Sequence, residues 1–373
     1  GWDNMLEQIK KANFPILNGN LFFEGTDQLV WDNPYLILER AGLKIGIIGL
    51  HGKFAFYDTI NFKMTEGIEA RDEEEYLRKY IEILKPKTDI IILAVHQGMP
   101  GRQSTIGLTD VERNLYKDIL LAQNVPGVDI IVTGHAHQGT DKALVSNGTI
   151  IVSTNANATE LGKLQIKYDT EKRRIVSHSN KLITIYDDEI EDDGDMLREI
   201  NYWQDEVDQI AKVSVVSSTQ KLVRAYGEES NMGNLFADAI EAFDEKIDIA
   251  VVNSGALRQD ISAGIITKGD LISAFPFPNT VVITKLKGSQ VVSIFNHAAG
   301  MTNGILQVSK NAKYSFYPGG SVKNIWINDE LLNDNEEYWV AAPNFVTQGG
   351  DGYLEFKNSI EYFDSGVLIV DAA

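Results

Sequence analysis

The sequence of 373 residues contains no cysteine, and this absence excludes several kinds of chemistry. Disulfide scaffolds, CxxC redox sites, thiolate metal sites and cysteine nucleophiles all need a residue that the chain does not have. Metal binding remains open through histidine, aspartate and asparagine side chains.

Long apolar runs are also missing. The longest lies at residues 90–95, which is far too short to span a bilayer, and no charged segment followed by an apolar stretch marks a signal peptide. We therefore expect no membrane span in this chain. Because the sequence begins with Gly1 instead of methionine and enters a helical pattern at once, we expect it to start inside a larger protein.

Positive charge is scarce as well. The 34 lysine and arginine residues face 53 aspartate and glutamate residues, which gives a net charge of −19. A protein this acidic is a poor candidate for binding nucleic acid by neutralising phosphates. If it acts on phosphate compounds, something other than its net charge must attract them.

Apolar residues make up 43% of the chain, which is enough for real cores and argues against intrinsic disorder. The length is typical of two domains. We place the first domain at residues 1–186, a linking helix at 187–212 and the second domain at 213–373. The helix opens with an acidic run, which suits a helix N-terminus, and the ligand spacing of a calcium-binding EF-hand is absent.

The first half alternates helical and strand-like patterns, which predicts an α/β sandwich. The main predicted strands of this half are residues 44–50, 88–95 and 128–133, and helices are expected at 70–84 and 110–123. The second half has a mixed pattern. It predicts strands at 248–252 and 280–286 and a helix at 231–243.

Three of the six histidines directly follow strand-like runs. His96 ends one run, and His135 and His137 follow the next in a GHxH pattern. Because ligands bind at the carboxyl ends of strands in α/β sheets, we expect these three side chains to meet along one rim and to bind metal, with Gly134 allowing the turn. His51 reaches the same rim as a neighbour. Imidazole suits manganese, zinc, iron, cobalt and nickel alike.

Two short motifs carry a resemblance to a known family. Val95-His96-Gln97-Gly98 and Gly134-His135-Ala136-His137 resemble the last two metal-binding motifs of the calcineurin-like metallophosphatases, and the surrounding sequence resembles the 5'-nucleotidases in particular. That family also includes UDP-sugar hydrolases and 2',3'-cyclic-nucleotide phosphodiesterases. Its DxH, GD and GNHEFD motifs, which precede a segment like residues 1–9, are not in this chain.

The resemblance implies a dinuclear centre with two divalent ions, which could be zinc, manganese, cobalt or iron. His96 and His135 would bind one ion and His137 the other. The bridging aspartate, the asparagine ligand and the catalytic histidine would come from upstream of Gly1, so no catalytic residue is expected in this chain. We therefore expect the fragment alone to hydrolyse little or nothing.

The second half contains four loops that combine turn-forming residues with polar or aromatic side chains. In this order they resemble the substrate-specificity domain of 5'-nucleotidases. The resemblance implies that Phe277 and Phe345 sandwich a nucleobase, that Asn253 bonds to the base, that Asp351 accepts from ribose hydroxyls, and that Arg258 holds the ribose or phosphate. Gly255 lies in the same loop as Asn253 and is expected to line the pocket.

One position departs from the family pattern. The family often has an arginine five residues before the asparagine of its ESN-like motif, and here Tyr226 occupies that position. Arg224 lies two residues earlier, so a two-residue insertion makes it the expected substrate ligand.

The resemblance implies a calcineurin-like β-sandwich with flanking helices, lacking its first motifs, followed by an α+β substrate-binding domain. The expected function is metal-dependent hydrolysis of nucleotides by a periplasmic, secreted or cell-surface protein. A cyclic-nucleotide phosphodiesterase and a nucleotide-sugar hydrolase remain alternatives within the enzyme class. A nucleoside- or nucleotide-binding protein without catalysis is the alternative from another class.

Overall fold

A computed structural model describes residues 2–60, 64–97, 110–301, 304–317 and 320–373. The chain divides into two compact units, Gly1–Glu191 and Asp192–Ala373. None of the helices in the described ranges is both long enough and apolar enough to cross a membrane.

The first unit contains five helices and ten strands in its described residues. The helices are α1 (Trp2–Lys11), α2 (Lys53–Thr59), α3 (Glu73–Leu84), α4 (Asp110–Asn114) and α5 (Tyr116–Asn124). The strands are β1 (Leu21–Phe23), β2 (Tyr35–Arg40), β3 (Leu43–His51), β4 (Ile68–Ala70), β5 (Ile90–His96), β6 (Ile130–Gly134), β7 (Leu144–Ser146), β8 (Thr149–Val152), β9 (Glu160–Asp169) and β10 (Arg174–Thr184).

Six of these strands form one sheet in the order β2-β3-β5-β6-β8-β7, in which β3, β5, β6 and β8 run parallel. Alternate residues of these strands face opposite sides, as the two-residue period of a strand requires. Ile91, Leu93 and Ile131 pack with residues of α3 and α5, while Ile90 and Ile130 pack with the β9–β10 hairpin. The sheet is therefore covered on both faces, which confirms the α/β prediction.

The second unit contains six α-helices and ten strands in its described residues. The helices are α6 (Gly194–Ala211), α7 (Asn231–Glu241), α8 (Lys268–Ala274), α9 (Gly288–Gly300), α10 (Asn344–Thr347) and α11 (Ile369–Ala372). The strands are β11 (Ser214–Ser218), β12 (Ile249–Asn253), β13 (Gly264–Thr267), β14 (Thr280–Lys287), β15 (Leu306–Val308), β16 (Ala312–Tyr317), β17 (Ser321–Ile327), β18 (Glu330–Leu331), β19 (Glu337–Pro343) and β20 (Glu361–Leu368). Short 3-10 helices occupy Ser254–Ala256, Gly350–Gly352 and Leu354–Asn358.

The central sheet of this unit has the order β15-β12-β19-β14-β20. Every residue of β12 is buried, because Ala250 and Val252 face the core that contains α7 and α8, whereas Ile249 and Val251 face the core that contains α9. This arrangement agrees with the mixed α+β architecture expected for the second half. It also places the end of β12, at Asn253, beside the loops that carry the predicted pocket residues.

The acidic run before helix α6 caps the N-terminus of that helix. The Asp193 side chain accepts hydrogen bonds from the backbone N–H groups of Asp195 and Met196, so the run supplies an N-cap. The helix ends beside α8, where the backbone of Ala211 lies against Gly269. Its role as a link between domains stays a prediction.

Candidate functional site

The three predicted metal ligands lie at the carboxyl edge of the first sheet. In the parallel register His51 of β3 pairs with His96 of β5, and His96 pairs with Gly134 at the end of β6. His135 and His137 therefore begin beside His96, although 39 residues separate His135 from it. Asp89 and Asp129 lie at the other ends of these strands, where their carboxylates accept from the backbone N–H groups of Lys44 and Ile91.

His96 and His135 approach each other closely. The Nε2 atom of His96 lies 3.1 Å from the Nδ1 atom of His135, and the two ring centroids are 4.9 Å apart. Burial, followed by the neighbouring charges of His51 and His137, lowers the pKa of His96, so its imidazole is neutral near pH 7. Neutral imidazole is the form that binds metal. Since zinc–nitrogen bonds are about 2.0–2.1 Å long, one ion can bridge a gap of this size, and the pair fits a metal.

The turn that carries the GHxH motif differs from the expected one. Gly134 does not adopt a left-handed backbone; His135 and His137 do, with φ angles of 84° and 53°. Non-glycine residues in this region carry strain, on the order of 1–3 kcal/mol each, that the surrounding structure must hold. The expectation that Gly134 provides the turn was therefore wrong, and the histidines themselves bend the chain.

The structure brings His96 and His135 into contact. His137 is exposed but close enough to His96 to influence its pKa. In the ranges that the structure describes, no three or more histidine, aspartate or glutamate side chains form a group able to hold a metal ion.

His51 is held in place by a residue that the sequence analysis did not single out. The fully buried Asn20 accepts from the backbone N–H of His51 and donates from its amide to the carbonyls of His51 and Arg71. The Nδ1 atom of His51 donates to the carbonyl of Gly52 over 3.0 Å. Burial lowers the pKa of His51, so Nε2 of the neutral ring is an acceptor beside His96, which agrees with the prediction of a neighbour.

A cavity of about 680 Å³ opens at the same edge of the first unit. Among the lining residues that the structure describes, His51 and His96 are the titratable ones, and Leu50, Phe56 and Trp31 are apolar. A mostly apolar cavity with a few convergent polar groups is the usual form of a small-molecule site.

In the second unit the structure joins two predicted pocket residues directly. The Nδ2 atom of Asn253 donates to Oδ2 of Asp351 over 2.9 Å, although 98 residues separate them in sequence. A carboxylate only accepts, so this bond fixes the orientation of the Asn253 amide. Its Oδ1 atom is buried without a hydrogen-bond partner, so this acceptor is not used by the described residues.

The two predicted base-stacking residues contact other residues of the predicted pocket. The guanidinium of Arg258 lies 5.2 Å from the ring centroid of Phe277, which is a cation–π distance. Phe345 lies directly against Gly350, where an added Cβ would come within 2.5 Å of its ring. At Gly255 an added Cβ would meet Asn253 and Asp351 at 3.8 and 4.0 Å, so Gly255 lies beside the pair.

The Arg224 side chain contacts Tyr226 and Asp260. Its Nη1 atom donates to the Tyr226 hydroxyl over 3.1 Å, and its Nε atom lies 3.8 Å from Oδ1 of Asp260. Tyr226, which occupies the family's arginine position, thus holds Arg224 through its hydroxyl. Asp260 neutralises part of the Arg224 charge.

Two further residues near these sites are not indicated by any sequence pattern. His297 of α9 donates from Nε2 to the carbonyl of Asp351, and Asp118 of α5 is a fully buried carboxyl beside Thr133 of β6. Neither occurs in a recognisable motif. Their contacts depend on how helices pack on sheets, which no local pattern reports.

Comparisons with known proteins agree with both halves of this description. A family model described as calcineurin-like phosphoesterase matches residues 8–139, and one described as 5'-nucleotidase, C-terminal domain, matches residues 209–358. The chain is 28% identical to a 5'-nucleotidase of Vibrio cholerae, over 98% of this chain and 73% of that protein. It is 27% identical to protein UshA of Yersinia enterocolitica, over 97% of this chain and 72% of that protein.

The fold also matches a solved structure. The crystal structure of a 5'-nucleotidase precursor from Thermus thermophilus superposes with a TM-score of 0.83, covering 100% of this chain and 77% of that one at 22% identity. The two chains therefore share the fold.

Proposed function

The chain belongs to the 5'-nucleotidase family of metallophosphoesterases, and from this premise we propose that it takes part in the metal-dependent hydrolysis of nucleotide phosphoesters. The observation that carries the proposal is the 3.1 Å approach of His96 and His135 at the carboxyl edge of the first sheet. The proposal includes export to the periplasm or cell surface.

In this proposal His96 and His135 hold one divalent ion and His137 holds a second. Zinc, manganese, cobalt and iron all suit the imidazole donors. A divalent ion bound there supplies Lewis-acid polarisation of a phosphoryl oxygen and attracts an anionic substrate to a protein of net charge −19. The chain's own contribution is to present the neutral imidazole of His96 beside His135 and to keep the strained turn at His135 and His137 in place.

The second unit recognises the nucleoside. Phe277 and Phe345 stack on the base, a contact worth on the order of 1–3 kcal/mol per base. Asn253 offers its buried Oδ1 to a donor on the base, and Asp351 accepts from the ribose hydroxyls. Arg258 holds the ribose or phosphate, and Arg224 is a further substrate ligand.

These contacts involve the nucleoside, which nucleoside monophosphates, cyclic nucleotides and nucleotide sugars have in common. Cyclic-nucleotide phosphodiesterase and nucleotide-sugar hydrolase activities therefore remain alternatives. Measuring phosphate release from a panel of these three substrate classes distinguishes them.

A nucleoside-binding protein without catalysis is a second candidate function. It is favoured by one observation, since the described residues contain no group of three metal-ligating side chains. For the same reason we propose that the 373-residue chain alone releases little phosphate from adenosine 5'-monophosphate with manganese or zinc present. Robust metal-dependent release would contradict this expectation.

Calorimetry tests the proposal on the chain as it stands. We expect Zn²⁺ to bind the unaltered protein and to bind His135→Ala about tenfold or more weakly. We expect adenosine affinity to fall in both Phe277→Ala and Phe345→Ala, while Phe14→Ala, which removes a side chain that is 65% exposed, serves as the control. Unchanged adenosine affinity in both pocket variants would rule out the base sandwich, and equal zinc affinity in His135→Ala would rule out the metal assignment.

A further inference from the structure

The predicted ribose ligand Asp351 lies in a loop with an unusual backbone. We call residues 349–352 the Asp351 loop. Gly349 and Gly352 have φ angles of 92° and 82°, and Asp351 itself has a φ of 53°. Glycine adopts this region freely, but aspartate does so only with support from its surroundings.

Part of that support comes from Phe345. Its ring lies against Gly350, where an added Cβ would clash with three ring carbons at 2.5–2.6 Å. The loop also closes on itself, since the Gly352 N–H donates to the Gly349 carbonyl over 3.2 Å. Neither contact touches the backbone carbonyl of Asp351.

His297 supports that carbonyl. Its Nε2 atom lies 2.8 Å from the Asp351 oxygen, and because a carbonyl only accepts, Nε2 carries the hydrogen. The ring of His297 packs edge-on against Tyr353, with centroids 4.8 Å apart and planes at 81°. His297 is thus fixed by a helix on one side and by a fully buried tyrosine on the other.

The bond from His297 holds the backbone from which the Asp351 side chain extends. With the carbonyl held by α9, the carboxylate meets the Asn253 amide at 2.9 Å at the end of β12. We infer that His297 is a positioning residue that sets the Asp351 carboxylate in its ribose-binding place before a nucleoside arrives. This inference rests on the proposed function, because it assumes that Asp351 binds ribose.

The physical advantage is preorganisation. A loop that is ordered before binding does not lose conformational freedom when the ligand binds, so more of the contact energy appears as affinity. His297 itself does not contact the nucleoside in this scheme. Its effect should therefore appear in binding affinity and be restored by any side chain that donates to the same carbonyl.

Two substitutions separate the hydrogen bond from the packing. His297→Phe keeps an aromatic ring against Tyr353 and removes the donor, whereas His297→Gln supplies an amide N–H near the position of Nε2. His178→Phe, at an exposed histidine of the β9–β10 hairpin, is the matched control. The readouts are adenosine affinity by calorimetry and amide hydrogen exchange at Gly352 and Tyr353 by NMR without ligand.

We expect His297→Phe to bind adenosine about tenfold more weakly, the usual size of one lost hydrogen bond. Its Gly352 and Tyr353 amides should exchange faster, and His297→Gln should restore both properties. If the unaltered protein binds adenosine and His297→Phe binds it equally well with unchanged exchange, the inference is overturned. Weaker binding in His297→Phe that His297→Gln fails to restore would likewise contradict a hydrogen-bonding role.

The exchange measurement separates this inference from the proposed function. Failure of the unaltered protein to bind adenosine would overturn nucleoside recognition, whereas the loop exchange would still decide whether His297 orders the Asp351 loop. In that case, faster amide exchange at Gly352 and Tyr353 in His297→Phe, but not in His297→Gln, supports the positioning role. Equal amide exchange in all variants refutes it.

Discussion

At the scale of single residues, Asp118 is a buried carboxyl that the proposed chemistry does not use. Neither of its oxygens accepts a hydrogen bond of ordinary geometry, and burial raises its pKa from 3.8 to about 7 despite the nearby Thr133 hydroxyl. Between these two values the folded protein keeps a proton that the unfolded chain has lost. The free energy of unfolding therefore decreases as the pH rises from about 4 to about 7, by about 4 kcal/mol in all.

Asp118→Asn removes this titration. Between about pH 5 and pH 8 the free energy of unfolding should fall by about 3 kcal/mol in the unaltered protein, because Asp118 loses its proton there. It should not fall for this reason in the variant, so the stability of the variant relative to the unaltered protein should rise by the same amount. Urea unfolding at both pH values measures the difference. A stability difference that does not change with pH would show that Asp118 is already ionised in the folded state.

Gly350 is a second residue whose role can be isolated. Because its Cβ would overlap the Phe345 ring, we expect Gly350→Ala to displace that ring and to weaken adenosine binding, with a stability loss of about 1–3 kcal/mol. Gly227→Ala is the matched control, since its Cβ would enter open space. Adenosine titration of both variants checks the expectation, and equal affinity would place the base away from Phe345.

At the scale of elements, helix α3 shows what local signals can and cannot define. The sequence predicts a helix over 70–84, and the helix begins at Glu73 because the Asp72 carboxylate accepts from the N–H groups of Glu74 and Glu75. Residues 68–70 instead form β4, which pairs with β1 almost fifty positions earlier. Because the partner strand is distant in sequence, a local periodic pattern cannot detect this pairing. The predicted helix therefore begins three residues too early.

The cap gives a prediction at the same scale. Asp72→Ala should cost about 1 kcal/mol of stability, because two N–H groups of the first turn lose their acceptor, whereas Asp72→Ser should retain most of it. Thermal unfolding of the first unit measures both variants. Equal losses in the two would show that the Asp72 charge, not its capping bond, stabilises α3.

At the scale of the whole molecule, each unit has a hydrophobic core of its own. Residues such as Leu77 and Leu93 form one, and residues such as Phe236 and Phe295 form cores in the other unit. A ligand stabilises only the unit to which it binds. We therefore expect calorimetric unfolding in two transitions, of which Zn²⁺ raises one and adenosine the other. A single transition raised by both ligands would contradict this assignment.

The sequence by itself determines much of the first site's layout. Apolar runs rich in isoleucine and valine specify β3, β5 and β6, and parallel pairing then brings the residues that follow them to one edge. His96 and His135 could be placed together for this reason alone. The missing cysteines likewise exclude thiolate ligands and cysteine nucleophiles at this edge.

Tertiary structure decides the contacts that make these groups specific. The left-handed turn at His135, the Asn253–Asp351 bond and the support of Asp351 by His297 all join residues through strained backbone or across 54 to 98 positions of sequence. Periodicity reports which face of an element is buried, but not which distant side chain meets it there. Such long-range side-chain contacts depend on how the helices and sheets pack against one another. This packing is a property of the whole folded chain.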